Sequence, residues 1–383
     1  MAAAAPARNA LFTPLKIGAL TLPNRIVLAP LTRCRATPGS NAPNAMMAQY
    51  YAARADAGLL IAEATVISEE ARGFPNTPGC FTPEHVAGWR TVVEAVRARK
   101  TGTAFFLQTW HQGRTANPQL SGVPAIGPSP VSKWATGFGG IGEACVEMSV
   151  EKIESVIAEY AHAARCADEA GFDGVEVHGA NGYLPNQFLA TSSNLRDDAY
   201  GGDIPRRARF LLDAVKATIA VLGAGRVGVR ISPASHWQDV HDTDPTATYK
   251  YVARELDALG IAYLHVVEPR DTGLAAVPTD PVDAALTGAA MRAAGFKGPI
   301  LSAGGHDFES GTDYVARGDA DAVVYGRHYI ANSDLVRRFA LKAEGAVVPM
   351  NAYDRDTFYS SGAKGYLDDE MYPLLDETKV IKA

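Results

Sequence analysis

The sequence predicts a single α/β domain built as a (β/α)8 TIM barrel, with an N-terminal β-hairpin cap and a long capping loop after the third strand. Three observations lead there. Apolar runs of strand length alternate with amphipathic segments of helix length from residue 24 to about 345. Eight such units fit in roughly 320 residues, the size of one barrel with insertions. No GxGxxG follows the first strand, which argues against a doubly wound dinucleotide fold. Residues 1–383 therefore read as one domain.

The elements follow in order. Residues 11–22 run apolar–turn–apolar around Gly18 and Ala19, as in a small hairpin closing the bottom of a barrel, and 26–29 suit a first buried strand. A helix is expected around 45–55 and a second buried strand over 58–64. Thr82-Pro83-Glu84 offers a cap residue, a first-turn Pro and an early acid for a helix to about 99. The third strand spans 103–108. From 110 to 148 the composition turns to Gly, Pro, Ser and aromatics with no helical period, as in an active-site flap. Helices are then expected around 150–170, 206–222, 245–259, 282–294, 308–317 and 335–344. Between them lie strands at 174–177, 227–231, 262–267, 299–301 and 322–325, and an aromatic tail follows.

Composition narrows the function classes. With 383 residues, 47% hydrophobic and 20% charged, the chain has ample material for a core. A net charge of −6 and the absence of a Lys/Arg run argue against nucleic-acid binding. Cys34, Cys80, Cys145 and Cys166 show no CxxC pairing, which points to a reducing compartment and to no zinc or iron–sulfur site. His111, His236 and His241 form no recognisable metal pattern. Met1–Ala10 lacks the long apolar run of a secretory leader, and no stretch approaches the roughly 18 apolar residues of a membrane span. The expectation is a soluble, cytoplasmic protein, monomer or homodimer.

Chemistry in a barrel lies where strands end. The fourth strand runs into Val177-His178-Gly179-Ala180-Asn181-Gly182-Tyr183, gathering three side chains able to exchange hydrogen bonds. After the seventh and eighth strands stand Gly304-Gly305 and Gly326-Arg327. Bare backbone N–H groups and an arginine there suit a phosphate, although tight-turn glycines and a solvated arginine would read the same way. Gln108 and Arg230 end otherwise apolar strands. Either a flat heterocycle or a neighbouring protein group could satisfy them.

Taken together, these pieces resemble the Old Yellow Enzyme family of FMN-dependent ene-reductases over nearly the whole chain, from Leu11 to Tyr366. The resemblance is carried by Leu11-Phe12-Thr13-Pro14-Leu15, Asn24-Arg25-Ile26 and Ala29-Pro30-Leu31-Thr32-Arg33. It continues through Gln108-Thr109-Trp110-His111-Gln112-Gly113-Arg114, His178-Gly179-Ala180-Asn181-Gly182-Tyr183-Leu184 and Gln187-Phe188-Leu189. Ser193-Asn194-Leu195-Arg196-Asp197-Asp198-Ala199-Tyr200-Gly201-Gly202, Arg230-Ile231-Ser232-Pro233, Gly326-Arg327 and Ile330-Ala331-Asn332 complete it.

The resemblance implies tightly bound FMN and NADPH or NADH as electron donor. Thr32 would bond the flavin C4 carbonyl, while Pro30, Leu31 and Ala64 pack on the ring. Gln108 and Arg230 would hold the pyrimidine edge, and Gly304, Gly305, Gly326 and Arg327 the phosphate. His178 and Asn181 would grip a substrate carbonyl, Tyr183 would donate the proton, and Trp110 and Tyr359 would wall the pocket. Substrates would be enones, enals, maleimides or nitroalkenes, with phenols as ligands. Thr32 resembles the yeast and enterobacterial branch, since another branch has cysteine there. Pro185 and the 110–148 stretch with Trp134 and Gly137-Phe138-Gly139-Gly140 depart from the family pattern. Other readings are a different FMN barrel, a non-redox phosphate-ligand barrel such as an aldolase or isomerase, and a non-catalytic flavin binder.

Overall fold

The computed structural model describes residues 9–131, 144–269 and 284–381. Strands β1 (Leu15–Ile17) and β2 (Leu20–Leu22) form an antiparallel hairpin. Ile17 and Leu22 are fully buried, packed into the cluster of Val27, Leu59, Ile61, Phe106 and Leu301 that fills the barrel interior. Gly18 turns the hairpin at φ 51°, and a Cβ there would stand 1.9 Å from the Gly225 carbonyl oxygen. Only glycine fits that position.

The barrel strands are β3 (Ile26–Leu28), β4 (Leu59–Val66) and β5 (Ala104–Trp110). Two short strands outside the barrel follow, β6 (Ile126–Gly127) and β7 (Val146–Glu147). The barrel resumes with β8 (Gly174–Gly179), β9 (Val227–Ile231), β10 (Tyr263–Val267), β11 (Ile300–Ala303) and β12 (Ala322–Tyr325). Eight of these close in parallel, β3-β4-β5-β8-β9-β10-β11-β12 and back to β3, as the sequence predicts. Their near-continuous burial explains why they read as apolar runs rather than alternating ones.

Helices α1 (Ala45–Ala52), α2 (Pro83–Arg97), α3 (Pro118–Ser121), α4 (Val150–Ala170) and α5 (Leu184–Leu189) appear in that order. They are followed by α6 (Ile204–Leu222), α7 (Pro245–Leu259), α8 (Gly288–Ala293), α9 (Phe308–Arg317), α10 (Arg327–Ala331) and α11 (Leu335–Ala343). Their starts are chemically marked. The Thr82 hydroxyl accepts from His85 N, Ser149 from Lys152 N, and Asp203 and Asp244 cap helices with Pro in the first turn.

Four stretches differ from expectation. The 110–148 region is not structureless in its described part: α3 starts at an Asn117 cap, and β6 and β7 pair in parallel. Trp134 and Gly137–Gly140 lie outside the described residues. The sixth helix is shorter than 282–294, because a 3-10 turn at Ala284–Leu286 precedes α8. Helices α5 and α10 were not anticipated, both being too short to show a helical period. Pro185 sits in the first turn of α5, where its missing N–H costs nothing. It therefore fixes the turn that carries Tyr183.

Candidate active site

A cavity of about 770 Å³ opens at the C-terminal ends of the strands, and every site residue expected from the sequence lines it. Three zones meet there. A polar floor is made by Gln108, His178 and Arg230; an aromatic wall by Phe74, Trp110, Tyr183 and Tyr359; and a glycine end by Gly304, Gly305, Gly326 and Arg327.

The floor is set by strand register. Gln108 of β5 pairs with Glu176 of β8, and His178 of β8 pairs with Arg230 of β9. Side chains two residues apart share a face, so Gln108 and Trp110 point the same way, as do Glu176 and His178. Beside them β4 breaks register between Ala62 and Thr65, where the Thr65 hydroxyl bonds the Glu63 carbonyl. That irregularity sets Ala64 in the cavity wall and turns Glu63 outward from it.

The turn after β8 is held by side chains that the sequence reading had not given a role. Asn181 adopts φ 58°, and its N–H donates to Ser232 Oγ at 2.7 Å. Gly182 N–H donates to Asn186 Oδ1 at 2.8 Å, and Asn186 Nδ2 donates to the Tyr249 hydroxyl. Gln187 Nε2 bridges the carbonyls of Gln112 and Gly182, while its Oε1 accepts from Arg114 N. A Cβ on Gly182 would meet the Trp237 carbonyl oxygen at 2.5 Å, and its φ is +75°. Gly182 is thus fixed by two independent constraints.

The ring of Tyr183 stands edge-on to Trp110 at 4.9 Å and 5.0 Å from His178. Trp110 leans on Phe74, and Phe74 on Tyr359, so the wall is one aromatic chain. Burial, with the positive charge of Arg230, holds His178 well below the ordinary histidine range, so its imidazole is neutral near pH 7. Burial and the neighbouring Tyr359 push Tyr183 up, so it keeps its proton.

Tyr359 arrives on a strap, residues 353–366, that crosses from the far end of the chain. Arg33, one residue after Thr32, donates from Nε to Phe358 O at 3.0 Å and from Nη2 to Gly365 O at 2.8 Å. Arg35 reaches the carbonyls of Thr357, Phe358, Gly362 and Lys364. Tyr366 stacks on Tyr50 at 4.1 Å with planes 2° apart, between the two guanidinium groups. Sequence reasoning found Tyr359 but not its anchor, because the partners lie more than 300 residues apart. Phe74 and Trp237 were also missed: both come from loops without period. Glu176 and His265 could have been flagged as lone polar residues inside apolar strands.

The fold and this cavity define a barrel enzyme whose site holds a flat, hydrogen-bonding ring with an anionic tail. Comparison with known proteins gives the family. Residues 10–344 match the NADH:flavin oxidoreductase / NADH oxidase family, and the chain belongs to it, as an Old Yellow Enzyme type of oxidoreductase. The chain is 42% identical over 380 residues to putative 12-oxophytodienoate reductase 2 of Oryza sativa subsp. japonica, covering 97% of this chain and 96% of that one. Among solved structures it resembles the old yellow enzyme homologue from Zymomonas mobilis (TM-score 0.87, 37% identity, 95% and 99% coverage). It also resembles morphinone reductase in complex with tetrahydroNAD (TM-score 0.85, 41% identity, 96% and 98% coverage).

The cofactor is FMN and the electron donor a reduced nicotinamide. The residues present fit that group. Gln108 Oε1 and His178 Nδ1 are buried polar atoms with no partner among the described residues, and both residues line the cavity. Gly304 (φ 155°) and Gly305 (φ 67°) form a backbone turn beside Arg327, chemistry suited to a phosphate. Family membership sets aside the non-redox phosphate barrel. Among the described residues no cluster of three metal-ligating side chains exists, and no helix is long and apolar enough to cross a membrane.

Proposed function

We propose that this enzyme reduces activated C=C bonds, in α,β-unsaturated carbonyls, maleimides and nitroalkenes, at the expense of NADPH or NADH. Bound FMN supplies a two-electron carrier between the nicotinamide and the alkene. Gln108 and Arg230 would hold its pyrimidine edge and Thr32 its C4 carbonyl, with Pro30, Leu31 and Ala64 against the ring. Gly304, Gly305, Gly326 and Arg327 hold the phosphate.

His178 and Asn181 donate to the substrate's carbonyl or nitro oxygen. The two donors draw electron density from the double bond and stabilise the negative charge that grows on that oxygen during reduction. Tyr183 then gives its phenolic proton to the α-carbon. Trp110, Tyr359 and Phe74 exclude water and shape the substrate. Nicotinamide and alkene use the same space in turn, which gives ping-pong kinetics. Phenols, planar with one acceptor oxygen, fit the same donors.

The observation that carries this reading is the convergence of a neutral His178 with an unpartnered buried Nδ1 and a protonated Tyr183, rings 5.0 Å apart, in one cavity. The test is to reduce the purified yellow protein anaerobically with NADPH and then add cyclohexenone. Reoxidation of the flavin with formation of cyclohexanone is expected. A reduced flavin that no activated alkene reoxidises would sink the proposal.

A further inference from the structure

Beneath the cavity floor lies a layer of charge with no part in the scheme above. Glu176 and His265 are both completely buried, on β8 and β10, and neither lines the cavity. Glu176 Oε1 accepts from Gln108 Nε2 at 2.7 Å, and Glu176 Oε2 lies 2.9 Å from His265 Nδ1. With Arg230 on the strand between them, four neighbouring strands contribute one polar residue each to a single belt. Burying a carboxylate is costly unless it is paired and hydrogen-bonded, so a charge placed here needs a reason.

The reason lies in which end of the Gln108 amide the carboxylate selects. An ionised carboxylate only accepts hydrogen bonds, so the group facing Glu176 must be the NH2 of Gln108. The amide is thereby locked, and its oxygen is left over. That oxygen is buried, without a partner among the described residues, on a residue that lines the cavity. Burial opposes ionisation of Glu176, but His265, Arg230 and Gln108 outweigh it and hold the carboxyl below its ordinary range. Burial keeps His265 itself below the ordinary histidine range despite Glu176, so the pair is a neutral imidazole donating to an anion.

We propose that Glu176 and His265 are positioning residues that lock the Gln108 amide with its oxygen toward the FMN site, making the floor an acceptor for a ring N–H beside the Arg230 donor. This rests on the reading that Gln108 faces the pyrimidine edge of the flavin. The pair has two separable effects. It prepays the orientation of Gln108, which otherwise would be lost as rotamer freedom on binding. It also places a fixed negative charge under the ring, opposing the negative charge that reduction adds.

The test measures FMN dissociation constants by fluorescence and midpoint potentials by redox titration, on Glu176→Gln, Gln108→Leu and the double variant. Glu176→Gln should weaken FMN binding on the order of tenfold, the worth of one buried hydrogen bond with its orientation, and raise the midpoint potential. The double variant should bind FMN no more weakly than Gln108→Leu, because Glu176 acts on affinity through Gln108. Effects on affinity that simply add, or a Glu176→Gln protein with wild-type affinity and potential, would overturn the proposal. If Gln108→Leu binds FMN like wild type, the reading of the floor fails instead, which keeps the two failures distinct. Should Glu176→Gln not fold, Glu176→Asp keeps the charge but withdraws it by one methylene. Weaker FMN binding with a nearly unchanged potential is then expected, and wild-type affinity would overturn the proposal.

Discussion

The floor and the wall of this cavity are built in opposite ways. The floor residues Gln108, His178 and Arg230 sit on adjacent parallel strands, so their spacing is dictated by sheet register. The outer wall is brought from a distance. Tyr359 rides on a strap held by Arg33 and Arg35, mostly through backbone carbonyls, with the Ser360 hydroxyl and the Tyr366 ring as the side-chain contacts. On the proposed function, the groups that meet reacting atoms thus sit on the rigid part of the fold, while Tyr359 hangs from a clasp reached across the chain. The family match ends at residue 344, so the whole strap lies beyond it.

Four changes would break or sharpen that division. The largest effect is expected at Tyr183, the proposed acid between floor and wall. Tyr183→Phe should slow alkene-driven flavin reoxidation by about 10²–10⁴-fold, the usual worth of a positioned acid, and leave reduction by NADPH within a few-fold. Stopped-flow of the two half-reactions decides it: equal losses in both would remove Tyr183 from the acid's role.

Next comes the clasp. Arg33→Met leaves the Gly365 carbonyl without its buried donor and the Phe358 carbonyl with that of Arg35 alone, and should lower stability by about 2 kcal/mol in urea unfolding. The alkene KM should rise while the flavin spectrum stays near wild type. A variant that loses FMN as readily as substrate would show that floor and wall are not separable.

Glu63 stands at their junction, accepting from Arg33 N and the Tyr51 hydroxyl. Burial raises its pKa from 4.5 to about 7, against the pull of Arg33. The folded state therefore holds a proton that the unfolded chain releases, and stability falls as pH rises from 4.5 through about 7. The loss is on the order of 3 kcal/mol. Thermal midpoints measured across that window should slope downward in the wild type and flatten in Glu63→Gln; parallel slopes would mean that another group titrates.

The smallest effect belongs to Tyr359→Ala. It removes the ring contacts with Phe74 and Phe358, each worth about 1 kcal/mol or less. A several-fold rise in KM is expected, larger for bulky alkenes, with kcat nearly constant. An unchanged KM across a substrate series would take Tyr359 out of the wall.

Most of the barrel was legible because buried parallel strands leave apolar runs, and because helices announce themselves with Thr82, Ser149, Asp203 and Asp244 at their starts. The floor was legible for the same reason: a Gln or Arg ending such a run is conspicuous. Helices α5 and α10 were not, since one or two turns carry no periodicity and exist here through their surroundings. Phe74 and Trp237 reach the cavity from loops whose course depends on tertiary contacts. The roles of Glu176 and His265 stayed hidden because they depend on which strands are neighbours, and a one-dimensional text does not give that order.

The clasp also bears on how the enzyme comes into being. Every barrel strand, from β3 to β12, precedes the strap in chain order. During synthesis the barrel can close and hold its cofactor while Tyr359 is still unmade, since domains emerge N-terminal part first. The arginine sockets at Arg33 and Arg35 are then made before the strap they hold, and the clasp closes on a barrel already formed.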